Sequence, residues 1–377
     1  MRNKKVKILQ FPIANSNGGI THYILNNWKW MDKEKFQCDF VTMSRHLDFV
    51  EEILATGSNV YYISCYAEDN KEQFIQEFAH ILENGYDVVH LHTKQWKSFL
   101  VEDICRKYHI PKVIVHSHNT GIDVSDPLKR KKEIELHEQI KAEVDESIAT
   151  DFWACSELAA DFLFGKQIPK EKIKIMPNAI DVEKFEFNDK IRKIYRKLLG
   201  IEGKFVIGNI GRLVYQKNQE FILKVFKELC VLNDNFILLL IGNGERELAL
   251  KKYVKDNCLE NKVIFLGMRK DVECLLQAID VFVLPSRFEG LPIGAIEAQA
   301  AGLKCLCSDR ITKEVKITDN LQLIPLKVEL WKNEILEILD SKKWENFYKR
   351  KNFGKEITQN GYNISMQIKV IEKEYMQ

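Results

Sequence analysis

The sequence predicts an α/β protein made of two doubly wound, parallel-sheet domains. Three observations carry that prediction. At 377 residues the chain is too long for one ordinary core, so two domains are expected. Short β-rich runs alternate throughout with longer amphipathic segments. The short runs are nearly continuous in apolar residues, as strands of a parallel sheet covered on both faces must be.

In the first half the strand candidates are VKILQF, CDFVTM, VYYIS, DVVHLH, KVIVHSH, DFWACS and IKIMP. After the first comes the loop NSNGGITHYI, in which Gly18 and Gly19 precede an amphipathic helix. That arrangement suits a phosphate at a helix N-terminus. The loop lacks the G-x-G-x-x-G spacing of a dinucleotide fingerprint. Histidines then collect at strand ends: His90 and His92 in VVHLHT, His116 and His118 in IVHSHNT. Each pair shares one face of its strand. Four histidines raise the question of a metal, but no acidic or cysteine ligand stands nearby to complete a site. His118, where its strand gives way to Asn119 and Thr120, is the candidate to reach a ligand, with a packed, hydrogen-bonded histidine as the competing reading.

The boundary falls near MPNAIDVEKFEFNDK, residues 176–190, where Pro177 and Asn178 turn the chain. The domains are then 1–180 and 181–357, with a C-terminal helix at about 358–377 returning to the first. In the second half the strands are FVIGNI, FILLLIG, KVIFLG, DVFVLP and KCLCS. Between the first two lies NQEFILKVFKELCVL, apolar at Phe221, Ile222, Val225, Phe226 and Leu229, a helical stripe.

Ligands of open parallel sheets bind at the C-terminal strand ends. Those ends carry Gly211, Arg212 and Lys217; Gly242 to Glu245; Gly267, Met268 and Arg269; Ser286 to Gly290; and Ser308 with Asp309. Glycine and polar residues thus fall repeatedly on one edge of one sheet. Arg212 and Lys217 are natural anion partners, a planar fork and a mobile point charge. In VLPSRFEGLPIGAIEAQAAG, Pro292 suits the first turn of a helix and Gly302 its end. Backbone N–H groups of residues 290–294 would then face the crevice at the positive pole of the helix. A diphosphate between that helix start and the Arg212/Lys217 pair is the simplest physical arrangement. Glu297, about one turn into the helix, can accept hydrogen bonds from the vicinal hydroxyls of a ribose. Glu289, outside the helix, can accept hydrogen bonds from another polyol or orient a positive group. Taken singly, each acid would read as a capping or ion-pairing carboxylate.

Bulk properties narrow the class. A net charge of +2 gives no global basic field for nucleic acid. The local run LKRKKE at 128–133 is either a solvated helix start or a contact for an anionic lipid surface or phosphorylated acceptor. Nine scattered cysteines without C-x-x-C suit a reduced, cytoplasmic protein. The start MRNKKVKILQFPIA is a better first strand than a signal peptide, and no apolar run reaches a membrane span.

These residues resemble a known family. GGI, HSHNT, ACSE, MPNAIDVEKF, GRLVYQKN, VIFLGMRKDV, PSRFEGLPIGAIEAQAAG and SDRITKEV together are similar to the family-four retaining glycosyltransferases of GT-B fold, in the capsular and exopolysaccharide branch. The resemblance spans nearly the whole chain. It implies two Rossmann-like domains facing a central cleft and a nucleotide-sugar donor held mainly by the second domain. It further implies that Arg212 and Lys217 bind the donor diphosphate, Glu297 the ribose and Glu289 the sugar. The backbone of Gly290, Leu291, Pro292 and Ile293 would meet phosphate and sugar, that of Met268 and Arg269 the base. Gly19, next to Gly18, would approach the phosphates from the first domain, and His118 would sit by the transferred sugar. The catalytic set would be His118, Glu289, Arg212 and Lys217, with a UDP-sugar as substrate and neither cofactor nor metal. The acceptor would be a glycan or lipid-linked glycan, with peripheral contact to the inner membrane face and no nucleic acid. Ala179 departs from the family's usual glycine and stiffens the linker slightly. The competing classes are a GT-B-type sugar-nucleotide epimerase, a glycosidic phosphorylase, and a non-catalytic assembly subunit.

Overall fold

The computed structural model describes residues 4–15, 18–340 and 350–377. Residues 1–3 of the opening segment and residues 16 and 17 of the glycine loop lie outside the described residues. The chain divides into two compact units. One comprises residues 1–122, 127–178 and 364–377; the other comprises 123–126 and 179–363.

The first unit is built on a seven-stranded sheet. Its strands are β1 (Val6–Ile13), β2 (Phe36–Thr42), β3 (Val60–Tyr62), β4 (Val88–Thr93), β5 (Lys112–Ser117), β6 (Asp151–Ala154) and β7 (Ile173–Ile175). They lie in the order β3-β2-β1-β4-β5-β6-β7, all parallel. The order reverses at β1/β4, which is the switch point of a doubly wound sheet. Tyr23, Ile24 and Trp28 of helix Gly19–Trp30 cover one face, against Ile8, Phe36 and Phe40 of the sheet. The C-terminal helix Ile364–Met376 joins the same core through Ile368, Ile371 and Tyr375. It begins at Ile364 rather than near 358, because helix Gly354–Gln359 belongs to the second unit.

The second unit has six strands: β8 (Phe205–Ile210), β9 (Phe236–Ile241), β10 (Val263–Gly267), β11 (Val281–Leu284), β12 (Lys304–Ser308) and β13 (Leu321–Ile324). Their order is β10-β9-β8-β11-β12-β13, again parallel. β9 and β11 are buried along their whole length, as their unbroken apolar runs require. Helix Gln219–Leu232 buries Ile222, Val225, Phe226 and Leu229, while Phe221 is only partly buried at the edge of the stripe. β13 was not expected from the sequence. It is a four-residue edge strand in which Gln322 is exposed, too short for a pattern of period two to register.

Close approach explains one glycine inside β8. A Cβ at Gly208 would stand 2.2 Å from Cδ1 and 2.6 Å from Cγ1 of Ile279, a side chain with no exposure. Gly208→Ala is therefore expected to lower stability by about 1–3 kcal/mol through overpacking. The check is the urea midpoint at unchanged m-value.

Candidate active site

In the second unit the switch point lies between β8 and β11, paired through Val281–Ile207 and Phe282–Gly208. Residues 74 positions apart in sequence therefore leave the sheet side by side. The segment after β8 supplies Arg212, Gln216 and Lys217; that after β11 supplies Ser286, Arg287 and Glu289.

The two segments are braced together. Asn218 stands in the left-handed region at φ 57°, a conformation asparagine tolerates, and its amide donates to the Pro285 carbonyl at 3.0 Å. The Arg287 N–H donates to the Gln216 carbonyl at 2.8 Å, and its guanidinium lies 4.5 Å from the Tyr215 ring centroid. Gln219 donates to the Arg212 carbonyl at 3.0 Å.

Both cations predicted for an anion are paired with carboxylates. Lys217 Nζ lies 2.6 Å from Glu289 Oε1. Glu289 is buried and also accepts from Ser286 Oγ at 2.7 Å and from Gln216 Nε2 at 3.2 Å. Arg212 Nη2 donates to Asp123 Oδ2 at 2.9 Å, and the Gln216 backbone N–H donates to Asp123 Oδ1 at 3.0 Å. Asp123 thus fills a ready-made anion position, a guanidinium beside a backbone N–H. Sequence reasoning missed Asp123 and Gln216, and it placed Ser286 on the strand-end edge without a role. Ser286, three residues before Glu289, was legible in PSRFEG; Asp123, distant in sequence, was not.

The helix after Glu289 runs Ile293–Ala300, with Pro292 at its N-cap rather than in its first turn. Gly302 follows its end at φ 70°, the left-handed glycine that closes many helices. The helix start adjoins the end of β8, since a Cβ at Gly294 would lie 3.8 Å from the Ile210 carbonyl oxygen. That is ordinary contact, so the protein's own packing does not demand glycine there. The same holds for Gly19, where a Cβ would meet nothing within 4 Å. Both glycines stand at helix starts, Gly19 just after the N-cap Gly18.

Glu297 is buried, and no hydrogen bond or ion pair reaches its carboxylate among the described residues. Burial pushes its pKa up to about 7, while the positive charge of Lys184 acts in the opposite sense. A buried carboxyl without a partner is costly unless a ligand supplies the missing donors. Met268 is exposed at the end of β10, and the Arg269 guanidinium is held by both oxygens of Asp271, at 2.8 and 2.6 Å. The Arg269 side chain is therefore committed locally, and its backbone remains the part the sequence reading assigned to a ligand.

In the first unit β4 and β5 are neighbours and place all four histidines on one face. The rings of His90 and His92 stack at 4.2 Å, those of His116 and His118 lie 4.0 Å apart. The sequence could pair them only within a strand; the sheet joins all four. His90, His92 and His116 bring ring nitrogens within 4.8 Å of one another, close enough to hold a metal ion. The set is all histidine: three rings brought together by strand pairing, with no acidic or cysteine ligand among them. Most of these nitrogens are nonetheless occupied by hydrogen bonds to neighbouring side chains.

A parallel α/β sheet with paired cations, a buried acid and a helix start at its switch point is a protein of the doubly wound class, whose ligands bind at the C-terminal strand ends. The comparisons place it further. Residues 191–359 match the family described as glycosyl transferases group 1, and residues 17–184 match glycosyltransferase family 4. The putative glycosyltransferase EpsF of Bacillus subtilis strain 168 is 31% identical over 84% of this chain and 82% of its own. An Escherichia coli protein named UDP-Gal:alpha-D-GlcNAc-diphosphoundecaprenol alpha-1,3-galactosyltransferase is 24% identical over 99% of this chain and 97% of its own. The structure of Anabaena HepE in complex with UDP and glucose superposes with a TM-score of 0.78 at 16% identity, covering 99% of this chain and 100% of that one. The chain belongs to glycosyltransferase family 4 and has the GT-B fold.

Proposed function

We propose that the protein is a retaining glycosyltransferase that moves a hexose or N-acetylhexosamine from a UDP-sugar to a lipid-linked glycan acceptor in capsule or exopolysaccharide synthesis. The observation that carries this reading is the strand-end edge of the second unit. There two cations, Arg212 and Lys217, and a buried acid without a partner, Glu297, flank one helix start. A nucleoside diphosphate sugar needs that combination: cations and N–H groups for the diphosphate, a carboxylate for a vicinal diol. The donor and lipid-diphosphate acceptor in the E. coli relative's name, and the UDP in the HepE structure, support the choice of class.

In this reading Arg212 and Lys217 exchange their carboxylate partners for the diphosphate and stabilise the charge it gains on leaving. Glu297 holds the ribose. Glu289, released from Lys217 but still held by Ser286, faces the sugar, and His118 stands by it. Transfer proceeds with the diphosphate departing from the face the acceptor attacks. The acceptor hydroxyl proton passes to a donor phosphate oxygen through an oxocarbenium-like state. The protein supplies position and charge, and no metal is required. Among the described residues no helix is long and apolar enough to cross a membrane. The basic run Lys129–Lys132, exposed except at half-buried Arg130, stands beside the exposed Leu128 on helix Pro127–Lys141 and suits peripheral contact with an anionic membrane face at the cytoplasmic side.

A panel of UDP-sugars tests the reading by thermal stabilisation and by release of UDP without acceptor. The true donor, at 100 times its Kd, should stabilise the protein by about 2.7 kcal/mol and be hydrolysed slowly. Binding without turnover toward any acceptor would instead mark an assembly subunit. Interconversion of the sugar nucleotide would mark an epimerase.

A further inference from the structure

The four histidines of the first unit belong to one hydrogen-bonded chain that also contains Gln10 and Tyr375. His118 Nε2 lies 2.9 Å from His92 Nδ1, and His92 Nε2 lies 2.6 Å from Gln10 Oε1. Gln10 Nε2 donates to the Tyr375 hydroxyl at 3.1 Å. That hydroxyl lies 2.7 Å from His90 Nδ1, and His90 Nε2 lies 3.1 Å from His116 Nδ1. All but His118 are buried.

Proton counting gives this chain a direction. Gln10 Nε2 donates to Tyr375, so the amide oxygen is the atom that faces His92, and an amide oxygen only accepts. His92 therefore carries its proton on Nε2 and offers a lone pair on Nδ1. His118 must then donate from Nε2. Burial pushes the pKa of all four rings down, that of His118 to about 3 with help from the charge of Lys94, so each is neutral and carries one proton. Neutral His118 with its proton on Nε2 has a bare Nδ1. On the other branch the Tyr375 hydroxyl, accepting from Gln10, gives its proton to His90 Nδ1. His90 then donates from Nε2 to His116. His116 Nε2 ends the chain, buried beside the Met176 backbone.

We propose that His92 and Gln10 are positioning residues that hold His118 as the neutral Nε2–H tautomer, leaving Nδ1 to accept a hydrogen bond from a hydroxyl of the bound substrate. An imidazole's reactive nitrogen is set by the bond its other nitrogen makes. Neither residue needs to touch substrate. The substrate part of this inference rests on the glycosyltransferase reading of His118; the tautomer itself does not. The same accounting disfavours a metal on His90, His92 and His116, because coordination would take the lone pairs that the chain uses.

The test is 15N NMR of the full chain with labelled histidine, the His118 signals identified by their loss in His118→Asn. The wild type should show His118 protonated on Nε2 and bare on Nδ1. His92→Phe should give a mixture of tautomers, whereas His92→Asn, whose carbonyl can replace Nδ1 as acceptor, should restore the single form. Gln10→Leu, one step further along the chain, provides a second disruption should His92→Phe not fold. With donor and acceptor in hand, His92→Phe should lower kcat about tenfold, one lost hydrogen bond's worth, with donor KM changed less than about twofold. His92→Asn should recover most of it. A wild-type His118 protonated on Nδ1, an unchanged tautomer in His92→Phe, or one equivalent of divalent metal bound by these histidines in the purified protein would each overturn the proposal. Were no variant or wild type to transfer sugar at all, the glycosyltransferase reading would fall while the tautomer pattern still decided the chain.

Discussion

Arg212→Ala lowers turnover by about 10²- to 10³-fold, the expected cost of one preorganised charge-stabilising donor. The guanidinium sits at the end of β8 with Asp123 on its fork, on a backbone tied to the rest of the edge by Gln219. It is therefore held in place before any ligand arrives, which is the condition for a large effect on the chemical step. Lysine at this position should recover only part of the loss, because it offers a point charge and not a planar fork. The measurement is kcat with the identified donor and acceptor, alongside the thermal midpoint to exclude unfolding. Full activity in Arg212→Ala would remove Arg212 from the catalytic set.

Glu297→Gln should act in opposite directions on binding and on stability. Charge-assisted hydrogen bonds to a ribose diol are worth about 1.5–3 kcal/mol, so donor affinity should fall by roughly 10- to 100-fold. Stability should rise, and only at higher pH. The folded-state pKa is about 7 against an ordinary 4.5, so the native state holds a proton that the unfolded state releases between those values. Stability contributed by this group is therefore lost as pH rises from about 4.5 to about 7 and stays lost above. One pKa unit corresponds to about 1.4 kcal/mol, so the glutamine variant should gain up to about 3 kcal/mol at pH 8 and almost nothing at pH 4. Urea midpoints at the two pH values measure this. Donor affinity of the wild type should fall as pH drops below 7, where Glu297 is protonated, and that dependence should flatten in the variant. Equal stability gains at both pH values would show that Glu297 is not the titrating group.

Much of the second unit's edge was legible because its signals are local. Short β-rich runs of five or six residues marked β8, β9 and β10, and the glycine or polar residues at or after their ends marked the ligand side. The Glu289–Glu297 spacing placed one acid outside a helix start and the other one turn inside it, and the helix Ile293–Ala300 has that relation to both. Pro292 falls one position earlier than local propensity suggested, at the cap. Proline is tolerated in both places, so composition alone could not choose.

What the sequence by itself determined is the class: alternating buried strands and amphipathic helices, two domains' worth of core, and a glycine-rich polar edge in the second half. Tertiary structure alone decided which side chains share a hydrogen bond. Asp123 meets Arg212 from 89 positions away, and Gln10 meets Tyr375 from 365 positions away. The pairing of β4 with β5 turned two separate His-x-His motifs into one chain. The physical reason is range. Periodicity and propensity act over one or two turns of chain, whereas partner choice, burial and the tautomer of His118 depend on which strand ends the sheet order brings together.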